Sequence, residues 1–307
     1  MALVSVICCT HNREAWVRSH FEGMRAHLGE NIELVYALDN CTDGTRAALE
    51  PLVAGYPNVR VLDHRGERGL FNCRNFGMAQ ACAPFIHFLD DDDSVEPGFY
   101  AQACQALGAE PAASADLYLA RLRITGDAGP GEEREVMPQH LRDQAVCKGT
   151  EWQLGGDLFG PILEGQLYFN GANALYSAAL LRRYGYRSEL KKSADWLFIL
   201  EAALRQPLRV ILNTQMVANY HVHAASMSIG PDKAFWNARV FELLLAMADE
   251  GPQWRRQIQE RCALANFHAA YAQRRLDRGL SRSLYWRSFL LKPRLQPLLA
   301  IAKTWIG

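Results

Sequence analysis

At 307 residues and 49% apolar composition the chain can bury a sizeable core, which fits one large α/β unit or two fused halves. Its 33 basic and 33 acidic residues cancel, which argues against a nucleic-acid partner held by a general positive field; a bound nucleotide is expected to be a small ligand. The eight cysteines form no C-x-x-C pair, the chain enters a strand pattern almost at once, and no apolar run reaches ~18 residues. Reduced thiols, no secretory signal, no membrane span and a cytoplasmic protein are therefore expected.

Up to about residue 125 strand and helix signals alternate, as in parallel α/β sheets. Residues 3–9 form a β-branched apolar run ending in Thr10-His11-Asn12-Arg13, followed by a helical stretch to about Leu28. Residues 32–38 read as a second strand that stops at Asp39-Asn40-Cys41-Thr42-Asp43-Gly44-Thr45, a cluster of turn formers. Residues 59–62 give a third strand and 70–82 a helix. Residues 85–89 give a fourth strand, running into the four aspartates Asp90, Asp91, Asp92 and Asp93. Polar and acidic residues thus gather beyond the C-terminal ends of strands one, two and four, the edge where open parallel sheets bind ligands.

Further on, residues 117–124 read as a strand, 126–135 as an exposed loop, 168–176 as strand-like, and 194–205 as a helix. Residues 209–212 and 217–222 read as two strands, and 233–249 and 253–278 as amphipathic helices. The tail, 281–306, mixes Trp286, Phe289, Leu290, Leu291, Leu298 and Trp305 with Arg282, Arg287, Lys292, Arg294 and Lys303. It fits either a helix packed on the rest of the chain or on a second copy in a homodimer, or a peripheral contact with an anionic membrane.

Carboxylates at a strand end can hold a hard divalent cation and leave positions for phosphate oxygens, whereas an isolated acidic triplet would mean a solvated turn or helix cap. In this chain the run is anchored to Phe85-Ile86-His87-Phe88-Leu89, so its charges are expected to need compensation from a metal or a basic group. Asp39 ends its strand in the same way; it fits either an acceptor for the imino N–H of a base or an Asx-turn without a ligand.

Taken together, these segments resemble the family 2 glycosyltransferases, whose fold is the α/β, Rossmann-like GT-A fold. Cys9-Thr10-His11-Asn12-Arg13 is similar to the family's P-T-Y-N-R segment, and residues 38–45 to its D-D-G-S-T-D-G-T. Residues 69–79 resemble its G-x-x-x-A-R-N-x-G-x-x-x-A helix, and 88–93 the strand ending in a D-x-D. The resemblance implies a nucleotide-diphospho-sugar donor, a UDP-sugar favoured and dTDP or GDP as alternatives, with Mn2+ or Mg2+ as cofactor. It assigns Thr10, Asn12, Arg13, Asp39, Arg74, Asn75, Asp90 and Asp91 to the donor side and makes Asp92 the metal ligand. Arg65 and Arg68 fit either a donor contact or a surface loop.

The second half carries a weaker match. Phe169-Asn170-Gly171-Ala172-Asn173 resembles a strand lining the acceptor side, and Ser193-Ala194-Asp195-Trp196 the family's E-D-W segment, with Ala194 in place of the glutamate. That match implies Asp195 as general base toward a hydroxyl of a glycan or lipid-linked acceptor, with inversion at the anomeric carbon. An Asp in the first helical turn also suits the macrodipole without any catalytic role. Residues 220–228 resemble a Y-R-x-H-x-x-S-x-S segment that would put His223 near the diphosphate and the metal. The implied division is a nucleotide-sugar half to about 125, an acceptor half at 126–230 and a helical extension at 231–307. A sugar nucleotidyltransferase is disfavoured because residues 10–13 contain no glycine, and an oxidoreductase because no G-x-G-x-x-G follows a strand. A sugar- or nucleotide-binding protein without turnover is the remaining alternative.

Overall fold

A computed structural model gives the fold over residues 2–109, 115–126, 129–224, 226, 230 and 232–306. The chain divides into two compact units, one of residues 1–186 with 206–223, the other of 187–205 with 224–307.

The first unit is built on one mixed sheet. Its strands are β1 (Val4–Thr10), β2 (Ile32–Asp39), β3 (Val59–His64), β4 (Phe85–Phe88), β5 (Ser94–Val95), β6 (Leu117–Gly126), β7 (Gly129–Arg134), β8 (Val146–Lys148), β9 (Glu151–Gly156), β10 (Ala174–Ser177) and β11 (Leu208–Val222). Their order is β3-β2-β1-β4-β10-β6-β11-β9-β8, with β5 on β11 and β7 on β6. The block β3-β2-β1-β4 is parallel, as expected; β10 then runs antiparallel to both β4 and β6. Every residue of β1 and β2 is buried, as strands covered on both faces require, so the runs are mostly apolar instead of alternating. The helices of this unit are α1 (Glu14–Arg25), α2 (Thr45–Val53), α3 (Leu70–Gln80), α4 (Phe99–Ala109), α5 (Gln139–Arg142), α6 (Phe159–Leu163) and α7 (Ala178–Tyr184).

Three expectations are corrected in this unit. Residues 129–134 form β7 instead of a loop, because Glu133 reaches Arg121 and Arg123 of β6 and pairs the strands through charge. Residues 127 and 128 of that expected loop lie outside the described residues. The strand expected at 168–176 is shortened to β10, since Asn170 Oδ1 takes the N–H groups of Ala172 (3.0 Å) and Asn173 (3.2 Å) and turns the chain. The two strands expected at 209–222 are one, β11, with an irregularity between Asn213 and Val217 where Asn213 Oδ1 accepts from the N–H groups of Gln215 and Met216. Strand β9, paired antiparallel with β11, had no sequence signal.

The second unit is helical: α8 (Ala194–Arg205), α9 (Lys233–Ala246), α10 (Arg255–Gln273), α11 (Arg278–Leu291) and α12 (Leu295–Ile306). Glu201, 2% exposed, is paired there by both Arg187 (3.0 Å) and Arg205, which is what a buried carboxylate needs. Among the described residues no helix is long and apolar enough to cross a membrane. All eight cysteines are free thiols; Cys8, Cys9, Cys73 and Cys262 are buried.

Candidate functional site

The parallel strands β2, β1 and β4 end side by side, and the residues that follow them converge at one rim of the sheet. Residues 10 and 11, at the central strand end, tie its two sides together. Thr10 Oγ1 donates to Asp91 Oδ2 at 2.5 Å, while His11 Nδ1 donates to the main-chain oxygen of Asp39 at 2.5 Å. Asn12 and Asn40, just beyond the ends of β1 and β2, have φ of 52° and 51°. Asparagine tolerates this left-handed turn, which lets the chain leave the sheet directly at the site. Asn12 also joins the two loops, accepting the Thr42 N–H at 2.8 Å.

The aspartate run folds onto itself. One oxygen each of Asp90, Asp92 and Asp93 lies within 4.8 Å of the others. Around them stand the counter-charges. Arg74, 4% exposed, donates through Nη2 to both carboxylate oxygens of Asp90, at 2.9 and 3.1 Å. Arg13 reaches Asp91 at 3.6 Å and Asp92 at 3.5 Å, and His223 Nε2 meets Asp92 Oδ2 at 2.8 Å. Trp16 of α1 organises these two groups: the His223 ring stacks on it at 5.4 Å, and the Arg13 guanidinium lies 5.4 Å from its centroid. Asp93 accepts the backbone N–H of His221 at 2.9 Å, fixing β11 to the run. A cavity of about 250 Å3 opens beside Asp91, Asp92 and Asp93, with Trp16, His20 and Met24 on its wall.

Compensation is incomplete. Burial, with repulsion from Asp92 and Asp90, pushes the Asp91 carboxyl up to about 6 despite the Thr10 hydrogen bond and Arg13. Burial and the charge of Asp90 raise Asp93 well above the usual carboxylate range against the pull of the His221 N–H. Three carboxylate oxygens this close, with the neighbouring Asp91 and Asp93 raised by burial, match what a hard divalent cation requires and relieves. The residues present therefore fit a hard divalent cation, which Asp90, Asp92 and Asp93 could hold, with His223 2.8 Å from Asp92.

Asp39, on the other side of the rim, is 5% exposed and satisfied differently. Its Oδ1 accepts from His64 Nδ1 at 2.9 Å and from Asn40 Nδ2 at 3.2 Å, and its Oδ2 from the Gly69 N–H at 2.9 Å. The last contact ties Asp39 to the start of α3, the helix that carries Arg74 and Asn75. Asn75 spends both amide atoms on the backbone of Tyr186, at 2.8 and 3.0 Å. Gly171 also belongs to the rim, because a side chain there would begin 2.8 Å from the Phe88 carbonyl and 2.9 Å from Arg74 Nη2.

The structure thus brings Thr10, Asn12, Arg13, Asp39, Arg74, Asp90, Asp91, Asp92 and His223 to one rim of the first unit. Asp195 is in the second unit, the second residue of α8, where its Oδ1 accepts its neighbour's N–H, that of Trp196, at 2.9 Å. Ser193, just before α8, has a φ of 62° and donates to Asn237 at 2.8 Å. Ala225, Met227 and Ser228 of the expected histidine segment lie outside the described residues. Arg65 has an 84% exposed side chain and pairs with Asp63. Sequence reasoning assigned no part to Trp16 or His64, and it placed Asp93 in the acidic run without a role of its own.

Residues 5–152 match the family model described as glycosyl transferase family 2. EpsH of Bacillus subtilis (strain 168), named as a glycosyltransferase, is 23% identical over 228 residues, which are 73% of this chain and 62% of that protein. The chain spans under two thirds of the length of the first curated relatives it matches. Among solved structures, TarS 1–349 of S. aureus in complex with UDP-GlcNAc superposes with a TM-score of 0.63 at 19% identity, covering 98% of this chain and 79% of that one. The mannosyltransferase PcManGT of Pyrobaculum calidifontis, in complex with GDP-Man and Mn2+, gives 0.56 at 16% identity, covering 98% and 78%. At these identities the likeness is one of fold, and the fold is the GT-A arrangement expected from the sequence.

Proposed function

Because the chain belongs to glycosyl transferase family 2 through residues 5–152, we propose that it transfers one sugar from a nucleotide-diphospho-sugar, a UDP-sugar by preference, to a hydroxyl of a glycan or lipid-linked acceptor with inversion at the anomeric carbon. The observation that carries this reading is the rim itself: Asp39 at the end of β2 and Asp91, the neighbour of Asp92 in the aspartate run, are linked through residues 10 and 11 between them. The complexes of TarS with UDP-GlcNAc and of PcManGT with GDP-Man and Mn2+ support the donor class and the cation.

In the proposed step the acceptor O–H gives its proton to the Asp195 carboxylate as the oxygen attacks the anomeric carbon. A new C–O bond forms, the bond to the β-phosphate oxygen breaks, and the electron pair leaves with the nucleoside diphosphate. A bound divalent cation supplies neutralisation of the charge that builds on that leaving group. Arg13, paired with Asp91 and Asp92 at 3.5–3.6 Å, is close enough to the same place to add a positive charge. Asp39 orients the base and adds binding common to ground and transition states.

A thermal-shift screen of UDP-, dTDP- and GDP-sugars with and without manganese tests the donor, since a ligand of the folded state raises its apparent stability. A shift with UDP-sugars that depends on manganese is expected; no shift with any nucleotide-sugar refutes the reading. Asp195→Asn is expected to lower kcat by roughly 10²–10⁴ with donor affinity kept, the signature of a lost general base. Transfer at the wild-type rate in that variant would remove Asp195 from the mechanism.

The reading extends to where the acceptor is met. In the second unit Trp286, Leu290, Leu295 and Leu299 are exposed, and so is the cation Arg294, a combination suited to an anionic lipid surface on the cytoplasmic side. Co-sedimentation with anionic liposomes, lost in Leu290→Glu with Leu295→Glu, is the expected result; equal sedimentation of the two proteins removes membrane contact from the proposal.

A further inference from the structure

We propose that His64 is a positioning residue for nucleotide recognition: its imidazole fixes the Asp39 carboxylate so that a single acceptor position faces the base. The inference rests on the reading that Asp39 contacts the nucleotide, and it deepens that reading by accounting for how one carboxylate can be selective.

A carboxylate offers about four acceptor positions, two on each oxygen. On Asp39 Oδ1 both are occupied, by His64 Nδ1 at 2.9 Å and Asn40 Nδ2 at 3.2 Å. On Oδ2 the Gly69 N–H takes one at 2.9 Å. One position remains, which suits a base presenting one imino N–H, as uracil, thymine and guanine do. A carboxylate oxygen accepts, so in this hydrogen bond the imidazole Nδ1–H is the donor.

His64 is itself held from four directions. It lies directly opposite Asp39 in the parallel β2–β3 register, and its carbonyl accepts the Asn40 N–H at 3.0 Å. Its ring packs on Phe76 at 5.2 Å between centroids. Gly66 closes the last side: a Cβ there would lie 2.8 Å from His64 Nε2, so the loop after β3 folds tightly over the ring only because that residue is glycine. The Asn40 side chain then pins this loop by donating to the Gly66 carbonyl at 3.1 Å. Without the imidazole, Oδ1 keeps only the longer bond from the adjacent Asn40. The carboxylate, held only by that bond and the Gly69 N–H on Oδ2, can then rock about its own axis, and its open lone pair is less closely directed. Orientation of this kind is what an outer partner contributes to a binding group.

The full chain is titrated calorimetrically with UDP, dTDP and GDP in saturating manganese, and separately with inorganic pyrophosphate in manganese, which lacks a base. The set is wild type, His64→Leu, His64→Asn, His64→Gln and Asp39→Asn, each checked by its melting temperature. Asparagine places an amide nitrogen close to where Nδ1 sits, and glutamine closer to Nε2. His64→Leu is expected to weaken the nucleotide that binds wild type best by roughly tenfold while pyrophosphate affinity is unchanged. His64→Asn is expected to recover binding to within about threefold, and His64→Gln is not. Wild-type nucleotide affinity in His64→Leu together with a loss in Asp39→Asn overturns the inference and leaves the parent reading standing. Full affinity in Asp39→Asn, or no binding of any of the three nucleotides to wild type, overturns the parent reading and the inference with it. Parallel loss of nucleotide and pyrophosphate in His64→Leu, unrescued by asparagine, makes His64 part of the scaffold and also overturns the inference.

Discussion

The two carboxylate sites on this rim, Asp39 at the end of β2 and Asp90 to Asp93 beyond β4, solve the problem of a buried negative charge in opposite ways. Asp39 is surrounded by donors that the fold supplies permanently: an imidazole N–H, an amide and a backbone N–H. The aspartate run packs four carboxyls together against two arginines and a histidine and still leaves Asp91 and Asp93 raised. A carboxylate that only reads a hydrogen bond can be finished in advance. One that holds a cation has to keep part of its charge uncompensated, because a fully neutralised site would gain nothing on binding metal. The contrast fits the proposal that two sites made from the same residue type take different ligands.

The largest expected effect comes from breaking that division directly. Asp92→Ala should abolish calorimetric manganese binding and lower transfer by about 10³, the scale for removing one group that stabilises charge developing in a transition state. Asp39→Ala should leave manganese binding in place and weaken the nucleotide. If both variants lost manganese equally, the two sites would not be chemically distinct.

The next effect sharpens the comparison through pH. Asp91 has a folded pKa of about 6, above the ordinary carboxylate value, so the native state binds more protons than the unfolded chain between about pH 4 and 6. Stability from this group is present at low pH and falls as pH rises through that window, by on the order of 2 kcal/mol, and Asp93 runs in the same sense. His20 and His87 run the other way: burial lowers each to about 4, so their contribution is lost as pH falls below the ordinary histidine value. They are common to both proteins, so the difference between wild type and Asp91→Asn isolates the carboxylate. Denaturant midpoints without metal should show Asp91→Asn gaining on wild type from pH 4 to 7, and manganese should shrink the gain. A constant difference across that range would show that Asp91 is already compensated.

Sequence alone made the rim legible, because strand ends punctuated by Thr10, Asp39 and Asp90 are local signals, and the parallel block needs only the order of its strands. What escaped was everything set by partners distant in the chain. Trp16 matters through His223, and His64 through Asp39, contacts that no periodicity encodes. Strand β7 escaped for a different reason: its cross-strand pairs are Glu133 with Arg121 and Arg123, so it lacks the apolar alternation by which strands are recognised. The Asn170-Gly171-Ala172-Asn173 turn was mistaken for strand because asparagine side chains satisfying backbone N–H groups look, in sequence, like any polar interruption.

The smallest expected effect tests how finished the Asp39 corner is. In Gly66→Ala the new methyl would sit 2.8 Å from His64 Nε2, and Asn40 resists the movement of the loop by holding the Gly66 carbonyl at 3.1 Å. The ring must yield by a few tenths of an ångström, and because Nδ1 lies on the same rigid ring, its bond to Asp39 shifts with it. Overpacking of this size costs about 1 kcal/mol, read as a small drop in the melting temperature. Nucleotide affinity should fall with it by a few-fold, while manganese affinity at Asp92 should not change. A Gly66→Ala protein that melts lower and binds nucleotide normally would mean that the Asp39 carboxylate tolerates displacement. The corner would then be an adaptable contact, and the contrast with the aspartate run would lie in charge alone.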